Sequence, residues 1–264
     1  MTNLSQRIVT GLGKRLRSSF SQRLLFLHIP KCGGTSIVHA MGACYGPRSM
    51  DPSQFYLDAA AVFETARLFD QHFQQISEKL LLYAMAQKQC RFITGHFFFS
   101  EKAHSRFGDQ WQTVTVLRDP VARWFSQYYF NRYKHERHYK TDADLEAYID
   151  SQEGIGAGRT LLNVLEGSGR DWGGDPQQGV RRATANLEKI SLVGILENLE
   201  QFKTRFRERY GTNLKIGTLR KSPVSGDQGR ARVSEAILEK VRRICRYDSQ
   251  IYKHALRIAS TNGL

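Results

Sequence analysis

Across Leu24-Leu25-Phe26-Leu27-His28-Ile29-Pro30-Lys31-Cys32-Gly33-Gly34-Thr35-Ser36 an apolar run gives way to a glycine turn and then to a hydroxyl pair. Leu24 to Ile29 has the length and apolar character of a buried strand. Thr35 or Ser36 opens a helix that runs to about Cys44, where Gly42 and Gly46-Pro47 end it. Strand, glycine-rich turn and helix form the geometry that holds a phosphate: backbone N–H groups and the positive helix end converge on the anion, and glycine admits it closely. The order is not that of a Walker A loop, because Lys31 precedes both glycines and so enters from the strand side.

The pattern outward from this loop is alternating. Pro52 to Lys88 reads as helical, through Phe55, Ala59, Val62, Phe63, Ala66, Phe73, Ile76, Leu80 and Tyr83. Arg91–Thr94 and Thr113–Leu117 read as strands, and a helix from Val121 to about Tyr133 follows Pro120, which suits a first helical turn. Gly154 to Gly174 reads as a glycine-rich, mobile stretch around one short helix, Thr160–Leu165. A strand at Ile190–Ile195, a helix from Glu197 to Tyr210, a polar loop from Arg220 to Arg230 and two helices, Val233–Arg246 and Ser249–Ala259, complete the chain. Strands alternating with helices predict an α/β domain with a central parallel sheet covered by helices on both faces.

The 264 residues fit one large domain, and 41% hydrophobic with 11% aromatic residues suffice for a packed core. The charge is unusual: 39 Lys and Arg against 25 Asp and Glu, a net +14. It implies an anionic partner without choosing among nucleic acid, an acidic membrane, a phosphorylated cofactor or a polyanionic substrate. No apolar run approaches the roughly 20 residues of a membrane span. Residues 1–23 carry Arg7, Lys14, Arg15, Arg17 and Arg23 with no acid and no signal-type apolar core. They read as a basic N-terminal arm, with a second reading as a surface helix for peripheral contact with anionic lipid. Cys32, Cys44, Cys90 and Cys245 are scattered, without metal spacing, so neither a disulfide framework nor a metal site is expected. Reduced thiols place the chain in the cytoplasm.

A second element supports the phosphate loop: Val116-Leu117-Arg118-Asp119-Pro120-Val121-Ala122-Arg123-Trp124-Phe125-Ser126. Arg118 stands at the carboxyl end of a strand, where open α/β sheets bind ligands. Ser126 follows two helical turns later, and a guanidinium fork with a hydroxyl suits a further phosphate group. The alternative is an Arg118 that pairs with Asp119 and holds the turn. Among the histidines, His96 follows Gly95 at another strand end, whereas His28 is expected to pack within its strand. Between 118 and 140, six basic residues face two acids. Arg132, Lys134, Arg137 and Lys140 would form either a cleft for an acidic glycan or a solvated helix face.

These segments together resemble the carbohydrate sulfotransferases, the family that includes heparan sulfate 2-O-sulfotransferases and bacterial relatives. "HIPKCGGTS" is similar to that family's 5′-phosphosulfate loop and "LRDPVARWFSQYYF" to its 3′-phosphate segment. "SLVGILENLEQF", "LRKS" at Leu219–Ser222 and "YDSQIYKHA" are weaker matches, and "LLNVLEG" departs from the family's "Q-T-R-x-L-x-G". The resemblance implies a P-loop-like fold over residues 24–264 and 3′-phosphoadenosine 5′-phosphosulfate (PAPS) as donor, with adenosine 3′,5′-bisphosphate as product and no metal. It implies a hydroxyl acceptor of carbohydrate type, a glycan that could be anionic. Lys31 would stabilise the leaving phosphate and His96 would be the base. Lys31, Cys32, Gly33, Gly34, Thr35 and Ser36 would hold the 5′ end, Arg118 and Ser126 the 3′-phosphate, and Arg220 and Ser222 a late cofactor-contacting loop. Two rivals remain: a nucleotide-dependent phosphotransferase, disfavoured by the loop order and the lack of a clear magnesium carboxylate, and a nucleic-acid-binding protein, suggested by charge alone and removed from first place by the motifs. A bacterial cytosolic source is expected, since no Golgi-type anchor is visible.

Overall fold

The computed structural model describes residues 20–46, 53–134, 139–167, 175–217 and 233–261. Five parallel strands form one sheet in the order β2-β3-β1-β4-β5: β1 (Leu24–Leu27), β2 (Gln54–Leu57), β3 (Phe92–Gly95), β4 (Gln112–Leu117) and β5 (Leu192–Ile195). β1 lies in the middle, paired in register with β3 through Leu24↔Phe92 and with β4 through Leu24↔Gln112. All four of its residues are buried, as a strand covered on both faces requires.

Alternation sends successive side chains to opposite layers. On one face Leu24, Phe26, Phe92, Val114, Val116 and Leu192 pack on α1 (Gly34–Ala43) and on Phe202 and Phe206 of α10 (Leu199–Tyr210). On the other, Leu25, Leu27, Ile93 and Val193 meet α2 (Ala59–Leu68), α3 (Phe73–Ala86), α4 (Glu101–Phe107), α8 (Thr160–Glu166), α9 (Pro176–Glu188) and α12 (Arg246–Thr261). A third cluster joins Val121, Trp124, Phe125 and Tyr128 of α5 (Pro120–Tyr133) to Tyr148 and Ile149 of α6 (Leu145–Asp150) and Val241 of α11 (Glu235–Ile244).

The helical reading of Pro52–Lys88 needs correction, because Gln54–Leu57 is the edge strand β2. It pairs parallel with β3, and Arg91 and Phe92 N–H both donate to Ser53 O. A four-residue edge strand cannot outweigh the helical period of the residues behind it. Gly154 and Gly156 lie inside a short helix, α7 (Gln152–Ala157), capped by Ser151, so helix begins earlier in the expected glycine-rich stretch than the sequence suggests. None of the four cysteines is in a disulfide. No helix among the described residues is long and apolar enough to cross a membrane.

Candidate active site

Strand order fixes where a ligand can sit. β1 leads to β2 at one edge of the sheet and β4 leads to β5 at the other, so the crevice beyond the carboxyl ends of β1 and β4 is a topological switch point. Four strands each deliver a polar side chain to that rim: Lys31 after β1, His96 after β3, Arg118 after β4 and Glu197 after β5.

Lys31 takes φ +67° and Gly33 φ +74°, and Gly33 caps α1 with no side chain of its own. The first N–H groups of a helix lack intrahelical partners, so the loop presents them outward, with Gly33 and Thr35 exposed and Gly34 buried. A Cβ at Gly34 would lie 1.8 Å from His28 Nε2, so only glycine fits there. The cradle therefore suits an anion. Cys32 points the other way. Its side chain is fully buried, and burial pushes its thiol up to about 12, so only its backbone belongs to the loop.

The Lys31 ammonium lies 3.7 Å from the centre of the Phe130 ring, a cation–π contact shared with Lys134 at 5.5 Å. Ala122, Ser126 and Phe130 form one row along α5 at i,i+4 spacing. The Phe130–Lys31 contact thus turns that row, with buried Ser126 in it, toward the loop. Arg118 Nη1 donates to Lys31 O at 3.4 Å, and its Nε lies 4.0 Å from Glu197 Oε1. Asp119 does not pair with Arg118; its carboxylate caps α5 by accepting from Ala122 N–H at 2.8 Å. Glu197 is held in turn by Asp119 N–H and the Tyr252 hydroxyl, both at 3.0 Å.

His96 is oriented by the neighbouring strand. Its Nδ1 lies 3.1 Å from His28 O, and a carbonyl only accepts, so Nδ1 carries the proton and Nε2 keeps its lone pair. Burial holds His96 below the ordinary imidazole value, opposed by that hydrogen bond. The His28 ring packs against it at 4.5 Å. The predicted substrate residues divide. Lys134 joins the Phe130–Tyr139 aromatic surface, Arg132 is tied to Thr141 O and Asp142, and Lys140 is exposed. Arg137, Arg220 and Ser222 lie outside the described residues, as does most of the N-terminal arm.

Residues 15–157 match the sulfotransferase family. The chain belongs to that family. The match covers more than half of this sulfotransferase, from before β1 through α7, and so includes Lys31, His96, Arg118 and Ser126. No curated protein matches the chain. Sulfuryl transfer to a hydroxyl is the chemistry the family supports.

Sequence reasoning missed two residues of this rim. Phe130 is one, although its i+4 spacing from Ser126 was a usable signal; Glu197 is the other, quoted in "SLVGILENLEQF" without a role and standing directly beyond β5.

Proposed function

We propose that this sulfotransferase transfers the sulfuryl group of PAPS to a hydroxyl of a carbohydrate-type acceptor. The observation that carries the reading is the His96–His28 hydrogen bond, which leaves His96 Nε2 unprotonated at the end of β3, with the His28 ring packed against it. When bound, PAPS supplies an activated sulfuryl group and leaves as adenosine 3′,5′-bisphosphate. The loop from Lys31 to Ser36 binds the 5′ end through backbone N–H groups, while Arg118 and Ser126 hold the 3′-phosphate. His96 Nε2 takes the acceptor hydroxyl proton as that oxygen bonds to sulfur. Lys31 leaves the Phe130 ring to meet the negative charge on the departing phosphate oxygen. The rings of Phe98, Phe73, Phe63 and Tyr139, in tilted or edge-on contact one to the next, offer an acceptor an aromatic surface.

Titration with adenosine 3′,5′-bisphosphate, followed by thermal denaturation, should raise the melting temperature saturably. The absence of any shift defeats the donor assignment. With PAPS as donor, His96→Ala should lower kcat by about 10²–10⁴-fold at unchanged bisphosphate affinity; near-normal turnover removes His96 as base.

A further inference from the structure

The His28 carbonyl orients His96, but the His28 side chain has no role so far. Its ring is wedged at the centre of the site: on Phe26 at 5.9 Å, on His96 at 4.5 Å, and with its Nε2 edge against Gly34, in the first turn of α1. Nδ1 is enclosed without a hydrogen-bond partner, whereas Nε2 is not enclosed. A buried orphan acceptor is tolerated better than a buried orphan donor, so the tautomer that fits carries its proton on Nε2. The two imidazoles are thus complementary, with His96 Nε2 accepting and His28 Nε2 donating. Burial, with His96 and Lys31 nearby, pushes His28 down to about 3, so it stays neutral and donates without adding charge.

The position of this donor decides what it meets. The loop N–H groups take the 5′-phosphate, and His96 takes the acceptor hydroxyl. The group between them is the one being transferred. We propose that His28 Nε2–H hydrogen-bonds a sulfuryl oxygen of the donor, making His28 a donor-contacting residue that senses the sulfuryl group and not the rest of the nucleotide; this rests on the PAPS reading above.

Calorimetric binding of PAPS and of adenosine 3′,5′-bisphosphate, without acceptor, isolates the contact because the two ligands differ only in that group. In His28→Phe, which keeps the ring stacking, PAPS affinity should fall about tenfold while bisphosphate affinity moves by less than about twofold. His28→Gln places an amide nitrogen near the Nε2 position and should restore most of the PAPS affinity. His28→Asn reaches only the Nδ1 position and should not. Equal losses for both ligands, or no loss for either, overturns the proposal while leaving the donor reading intact. If His28→Phe does not fold, the Gln–Asn contrast decides, and equal PAPS affinity in those two variants overturns the proposal. Failure of the unaltered protein to bind either ligand instead removes the donor reading, and this contact with it.

Discussion

Lys31 combines a functional side chain with an unfavourable backbone. At φ +67° a residue with a Cβ costs roughly 1–2 kcal/mol that glycine avoids. Lys31→Gly and Lys31→Ala both remove the ammonium from Phe130, so comparing them isolates the backbone cost. The glycine variant should be about 1 kcal/mol more stable in urea denaturation, and both should lose turnover alike; an alanine variant as stable as the glycine one shows the loop is unstrained. His96 gives a second expectation. Burial disfavours its protonated form, so the base stays deprotonated below the ordinary value of 6.5. With His96 as the proposed base, activity should be retained as pH falls through 6.5 and be lost only at lower pH. The acid limb of kcat/KM should inflect below 6.5, and an inflection above it contradicts the buried geometry. The loop itself was legible because Pro30-Lys31-Cys32-Gly33-Gly34 states its chemistry in adjacent residues. The His28–His96 pair was not, because it joins positions 68 apart through a parallel strand pairing.

At the scale of elements, the strands feeding the site were readable because β1 and β5 are apolar and β4 is apolar or β-branched from Thr113 on, and the helices after β1 and β4 open on recognisable turn residues. β2 was hidden by its brevity, and α9 and α4 pack on other helices, α9 on α8 and α12 and α4 on α3, contacts that no local sequence pattern announces. The most telling long-range tie is equally invisible in one dimension. Asp248 of α12, fully buried, accepts Leu161 N–H and Leu162 N–H at 2.9 Å each and so caps α8 from another helix. Burial raises its carboxyl to about 7, opposed by Arg123 and those N–H groups. Between 3.8 and about 7 the native state holds a proton that the unfolded chain has released, so the Asp248 contribution to stability falls as pH rises through that window. Asp248→Ala leaves the buried Leu161 and Leu162 N–H groups without their acceptor and removes the carboxyl group near the enclosed Arg123, and should cost about 3–5 kcal/mol. Asp248→Asn should cost less and flatten the pH dependence of the urea midpoint. An alanine variant within about 1 kcal/mol of the parent makes the tie dispensable.

For the whole molecule, a net +14 acts on any anionic ligand before it touches the site. Part of that charge is paired at the surface: Arg242 with Glu235 and Glu239, Lys240 with Asp150, and Lys203 with Glu200. Such exposed pairs add little stability, and they leave the overall excess unchanged. On the donor reading proposed above, a doubly phosphorylated nucleotide would approach through an attractive field that ionic strength shortens, from a screening length of about 30 Å at 0.01 M to about 3 Å at 1 M. The close contacts lie inside that range and are screened less, since Arg118 is mostly buried, with its side chain 14% exposed. The field and the contacts thus separate kinetically. Stopped-flow binding of adenosine 3′,5′-bisphosphate across that range should show an association rate falling by about tenfold or more and a dissociation rate changing much less. Arg118→Ala should reverse the pattern at fixed salt, raising dissociation while leaving the salt slope of association intact. If salt acts chiefly on dissociation, the surplus charge serves the bound complex directly.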